Sequence, residues 1–226
     1  FLLNLYILRK TVLSLQTITI PAQTGQAPVG LIVVLHGWGA SAEDIAPLVP
    51  PLNLPQYQFM MPSGPFPHPY APEGRMWYGF PANYSFQSQY DFDSREDLAT
   101  SRKLLREWLA GLADSTGIPL SRTILAGFSQ GGAMTLDVGH NLPVAGLMVL
   151  SGYLHAAISP EPGSSPPVLM VHGRQDSVVP LGAAQQARDS LIAAGMNVNY
   201  HELNMDHEIR LEVLDRMGEF IATVFR

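Results

Sequence analysis

The segment Gly127-Phe128-Ser129-Gln130-Gly131-Gly132 follows directly on an apolar, β-prone run, Thr123-Ile124-Leu125-Ala126. A G-x-S-x-G segment in that setting constrains the chain more than any other feature. It requires a strand to end, the backbone to turn sharply and a helix to begin at once. Small residues must flank the serine, because backbone lies close on either side and the serine takes a strained conformation. The new helix turns its N-terminus and free N–H groups toward whatever the hydroxyl attacks. The hydroxyl in turn predicts partners elsewhere in the sequence.

Apolar runs and amphipathic runs alternate along the rest of the chain. Strands are predicted at 5–8, 16–20, 30–35, 58–61, 122–128, 144–150, 167–171 and 198–203. Helices are predicted in a short stretch capped by Ser41, from Ser94 through Leu112, and from Gly131 to about Asn141. Two more are predicted over 181–194, stopped by Gly195, and over 208–225. The alternation implies an α/β fold in which helices cover both faces of a mostly parallel central sheet. At 226 residues, with no repeat and no linker, residues 1–226 read as one domain.

Composition removes several function classes. A net charge of -6 with no Lys/Arg cluster argues against nucleic acid and against anionic membrane surfaces. The absence of cysteine removes disulfides, thiolate metal sites and a thiol nucleophile, and it fits a cytoplasmic setting. No stretch is long enough to span a bilayer, so stable membrane insertion is not expected. The first fifteen residues, interrupted by Arg9 and Lys10, read as a strand and not as a signal peptide. No histidine pair has a compact metal-ligand spacing, so neither metal nor cofactor is expected. A homodimer is compatible with the sequence.

A serine hydroxyl needs a base in contact, and the base needs an orienting acid. In hydrolases built on a sheet these follow in chain order Ser, Asp, His, each from a loop after a strand. The strand predicted at 167–171 runs into a loop carrying Asp176. The strand at 198–203 is followed by His207, just before the last predicted helix. Ser129, Asp176 and His207 are therefore the candidate catalytic residues. A tetrahedral intermediate also needs N–H donors for its oxyanion. Gln130, directly after the serine, offers one. The loop His36-Gly37-Trp38-Gly39 offers a second, the Trp38 N–H. His36 and His172, each before a glycine turn, read as satisfying backbone groups, and the other four histidines, His68, His140, His155 and His201, match no required position.

Between Pro62 and Phe92 lies a segment too long for an ordinary connection. It holds nine of the chain's 20 aromatics. Such residues beside a nucleophile can line an acyl pocket, and Trp77, Tyr78 and Phe80 are the candidates for substrate contact.

With these residues placed, the chain resembles the small carboxylesterase/acyl-protein thioesterase family of α/β-hydrolases, also called the phospholipase/carboxylesterase family. The matching segments run from Leu35-His36-Gly37-Trp38-Gly39 through the serine hexapeptide and Leu150-Ser151-Gly152-Tyr153. They continue through His172-Gly173, Asp176 and Val178-Val179-Pro180 to His207-Glu208-Ile209. The resemblance implies an α/β-hydrolase fold and hydrolysis of small carboxylic esters of short or medium acyl chain, with thioesters or lysophospholipids as the alternatives; a binding protein that keeps the pocket of a hydrolase scaffold without turnover is the alternative from another class. It also implies Ser129, Asp176 and His207 as the triad, with Trp38 and Gln130 at the oxyanion. Members usually carry glycine before the catalytic histidine, where this chain has Asp206. Members that act on thioesters often read H-G-L-G-D, where this chain has Trp38 and Ala40.

Overall fold

The structure, a computed structural model, describes residues 14–82, 84–86, 91–160 and 165–226. The strand predicted at 5–8 lies outside them. Short runs such as Leu31–Leu35 are apolar at every position, which suits strands enclosed on both faces. They form a seven-stranded sheet in the order β1 (Thr17–Ile20), β3 (Gln58–Pro62), β2 (Leu31–Leu35), β6 (Thr123–Phe128), β7 (Gly146–Leu150), β8 (Val168–Gly173), β9 (Val198–Leu203). Every pairing is parallel except that of β1 with β3, at the edge. Two short strands, β4 (Phe66–Pro67) and β5 (Arg75–Met76), form a separate antiparallel pair.

Successive side chains on a strand point to opposite faces, and this splits the sheet between two cores. Leu31, Val33, Leu35, Leu125, Leu147 and Val149 face one side. There they meet α3 (Glu96–Ala110), α4 (Leu112–Thr116), α5 (Gln130–Gly139) and α6 (Leu181–Ala193) through residues such as Leu105, Leu112, Met134 and Leu191. Ile32, Val34, Ile124, Ala126, Met148 and Leu150 face the other side. There they meet α1 (Ala42–Ile45), α2 (Val49–Leu52) and α7 (Leu211–Val224) through Ile45, Val49, Met217 and Ile221. All five residues of β2 are buried, and each contributes about 1.5–3 kcal/mol by leaving water.

Two helix starts differ from expectation, both for local reasons. The helix predicted from Ser94 begins at Glu96, because Arg95 is extended (φ -90°, ψ 119°) after a 3₁₀ turn over Phe92–Ser94. The last helix begins at Leu211, not at 208. Residues 208–210 instead form the loop that carries His207, with Glu208 N–H donating to Asp206 O at 3.0 Å.

The first part of the aromatic segment, up to Arg75, is stitched down by hydrogen bonds. Gly39 N–H donates to Arg75 O and Arg75 N–H to Ala40 O, both at 2.9 Å. The Arg75 side chain donates to Gly64 O at 2.9 Å and Pro65 O at 2.6 Å. The segment is thus joined to the loop after β2, beside the candidate oxyanion donor.

Candidate active site

Parallel strands bring their C-terminal ends to one edge of the sheet, and the loops that leave this edge carry the candidate residues. β6 ends at Phe128, and Ser129 turns with φ 54° and ψ -117°. That strained backbone is held by Ser129 N–H donating to Leu150 O at 2.8 Å and by Ala133 N–H donating to Ser129 O at 3.1 Å. A Cβ on Gly127 would lie 2.2 Å from the Gly131 carbonyl, so the turn closes only with glycine there.

His207 reaches Ser129 Oγ through Nε2 at 2.9 Å and Asp176 Oδ2 through Nδ1 at 2.8 Å. A carboxylate only accepts, so Nδ1 carries the proton and Nε2 is left to accept from the serine hydroxyl. Asp176 is enclosed, with no exposed side chain. Burial works against its ionisation, but the bonds from His207 and from the Val179 and Val178 N–H groups hold its carboxyl below the ordinary range. His172 lies behind Asp176, with Nε2 donating to Val179 O at 2.9 Å and 3.4 Å from Asp176 Oδ2. Burial lowers its pKa and keeps it neutral.

Gln130 opens α5, so its N–H has no acceptor within the helix. On the facing loop a Cβ on Gly37 would lie 3.4 Å from Ser129 Cβ, which puts the 37–38 backbone against the serine. Trp38 is partly exposed and meets His68 and Phe80 edge-on, with centroids 4.1 and 5.8 Å away.

The aromatic candidates divide. Trp77 and Tyr78 have no exposed surface through which to touch a substrate. Both are held inward by polar ties that the sequence does not reveal. The Gln130 side chain accepts from Trp77 N–H at 2.9 Å and donates to Tyr78 O at 2.7 Å. Trp77 Nε1 donates to His36 O at 3.1 Å. Tyr78 Oη lies 2.7 Å from His155 Nε2, and His155 Nδ1 lies 2.9 Å from Asp137 Oδ2, which also accepts from Arg102. Phe80 is half-buried against Trp38, Tyr78 and Tyr84. A cavity of about 570 Å³ opens where the aromatic segment, the loop after β7 and α6 meet. Tyr84, Phe86, Phe92 and Tyr153 line it together with the polar Asp91 and Gln186, and none of Ser129, Asp176, His207, Trp38 and Gln130 does.

A sequence model of phospholipases and carboxylesterases matches residues 18–225. The chain belongs to the phospholipase/carboxylesterase family. Over 201 residues it is 30% identical to acyl-protein thioesterase 1 of Neurospora crassa, covering 83% of this chain and 80% of that one. Esterase YpfH of Escherichia coli is 27% identical over 176 residues, or 74% of this chain and 71% of that one. Among solved structures, esterase PE8 matches with a TM-score of 0.83 at 29% identity, covering 93% of this chain and 99% of that one. Membership in the family makes the chain a hydrolase of the esterase type on an α/β-hydrolase fold.

His36, at the end of β2, joins the two loops of this family member's site. Its ring is buried, Nδ1 donates to Gly37 O at 2.6 Å and Nε2 accepts from Gly64 N–H at 2.8 Å. Burial pushes its pKa down from 6.5 to about 4. The neutral ring is therefore the folded form. The unfolded chain takes up a proton near pH 6.5 and the folded one only near 4, so stability present above pH 6.5 is lost as the pH falls toward 4. A shift of that size corresponds to a loss on the order of 3 kcal/mol. Urea unfolding at pH 7.5 and pH 5 should show the decline, and equal stabilities would contradict it. Among the described residues no helix is long and apolar enough to cross a membrane.

Proposed function

We propose that the chain is a single-domain serine carboxylesterase acting on small esters of short to medium acyl chain through a Ser129–His207–Asp176 relay. The observation that carries this reading is the continuous pair of hydrogen bonds, 2.9 and 2.8 Å, that joins the three side chains. Ser129 Oγ attacks the ester carbonyl as His207 Nε2 takes its proton. The same imidazole then delivers that proton to the leaving alcohol. Water, deprotonated by His207, releases the acid from the acyl-enzyme. Asp176 holds the ring in the Nδ1–H tautomer and offsets the charge it gains. The Trp38 and Gln130 N–H groups receive the oxyanion, and each such donor is worth on the order of 10²–10³ in turnover.

Phe80, half-buried against Trp38, is the aromatic side chain that stands beside the proposed oxyanion loop. The cysteine-free composition fits action in the cytoplasm. The likeness to acyl-protein thioesterase 1 favours thioesters as the second substrate class. Measuring kcat/KM on oxygen esters and thioesters of equal chain length, from acetyl to octanoyl, tests the reading. Higher values on oxygen esters are expected. Uniform preference for thioesters would replace the carboxylesterase assignment, and absence of turnover on both series would end it.

A further inference from the structure

We infer that Asp206 is a positioning residue of the relay, tying the loop that carries the base to the loop that carries the acid. The inference rests on the proposed triad. The carboxylate sits beside His207 in the chain, and its single partner residue across the gap, Ser177, sits beside Asp176. One oxygen, Oδ1, accepts from Ser177 N–H at 2.8 Å, from Ser177 Oγ–H at 2.9 Å and from His207 N–H at 2.8 Å. Each member of the acid–base pair therefore has its neighbour held in the same three-donor clamp. The bond to the His207 N–H fixes the backbone from which the imidazole projects. The two bonds to Ser177 fix the backbone from which the Asp176 carboxylate projects.

Little else joins the tips of these loops. Lower down, Gln175 N–H donates to Met205 O at 3.1 Å and Arg174 N–H to Leu203 O at 2.8 Å. Those bonds align the stems, one and two residues before the acid. Beyond them the connection passes through Asp206 and through the Asp176–His207 bond itself. The clamp is exposed to water, so its contribution lies in geometry and not in burial. Its three donors hold the Asp206 carboxyl below the ordinary range, which keeps it ionised at any pH where a neutral imidazole can act as base.

A base displaced by a fraction of an ångström loses turnover and not substrate affinity, because the relay works on the transition state. The test compares wild type with Asp206→Ala, Asp206→Asn, Ser177→Ala and Ser129→Ala on p-nitrophenyl butyrate, with Tm measured for each. Asp206→Ala should lower kcat about 10-fold with KM within about 2-fold of wild type. Asp206→Asn keeps an acceptor oxygen in place and should recover most of that loss. Ser177→Ala, which removes one of three bonds, should fall between them. Wild-type kcat in Asp206→Ala overturns the inference, whatever happens to Tm, provided that Ser129→Ala is inactive. A loss in Asp206→Asn equal to that in Asp206→Ala also overturns it. Activity in Ser129→Ala overturns the triad first and this inference with it.

Discussion

Ser129→Ala should lower kcat on a p-nitrophenyl ester by on the order of 10⁶ and leave KM nearly unchanged. The serine oxygen is the only atom of the site that forms a bond to substrate in the proposed reaction. Removing it leaves the proposed oxyanion donors intact, and such donors with substrate binding still favour the reaction over water by roughly 10³–10⁴. His207→Ala should cost about as much as Ser129→Ala, since a serine hydroxyl without a base is inert near neutral pH. The double variant should be no worse than either single one, because the two groups act as a unit. Asp176→Asn should be milder, at about 10⁴, through loss of the Nδ1–H tautomer. Steady-state rates on p-nitrophenyl acetate and butyrate provide the check. Rates in Ser129→Ala within 10-fold of wild type would remove the serine from the chemistry.

Gly131→Ala should be among the most damaging single methyl groups that can be added to the described residues. Its Cβ would lie 2.3 Å from Leu35 O and 2.6 Å from His36 O. Both are backbone atoms of the strand and loop that carry the proposed oxyanion donor, so no side chain can swing aside. Either α5 moves away from β2 or the Trp38 loop moves away from Ser129. A loss on the order of 3 kcal/mol or more is expected. For a chain of this length that lowers Tm by roughly 6–12 °C. Turnover should fall in the fraction that still folds, since the displaced atoms belong to the loop proposed to receive the oxyanion. Gly218→Ala is the control. Nothing lies within 4 Å of its Cβ, and it sits inside α7. Alanine there should stabilise by about 0.5–1 kcal/mol. Thermal unfolding of both variants decides the matter, and similar Tm values for the two would contradict the close approach at Gly131.

Much of this architecture is legible in the sequence because a few residues carry strong local rules. Runs such as Leu31–Leu35 and Val168–Val171 are apolar at every position, and only a sheet covered on both faces accommodates them. The Ser129 turn follows from a strand that stops at small residues. The loops at 176 and 207 follow from chain order, since parallel strands deliver their C-terminal loops to one edge. What stays hidden is long-range polar pairing. The Gln130 side chain, which fastens the aromatic segment to the serine turn, is 53 and 52 positions from its partners Trp77 and Tyr78. Aromatic density in that segment announces buried area but not its direction. Trp77 and Tyr78 turn inward because their N–H and O–H groups find acceptors there, whereas Tyr84 and Phe86 reach the cavity. His155, which fits no catalytic position, proves to be the link between Tyr78 and Asp137. The approach of His172 to Asp176, 3.4 Å apart, is made by the loop after β8, and no helical spacing announces it.

Reaction of the intact chain with a fluorophosphonate, followed by mass-spectrometric mapping of the adduct, tests the joined relay most directly. The expected result is one phosphonyl group per chain, on Ser129, forming at least about 10³-fold faster in wild type than in His207→Ala. An adduct on another residue, no adduct, or equal rates in the two proteins would contradict it.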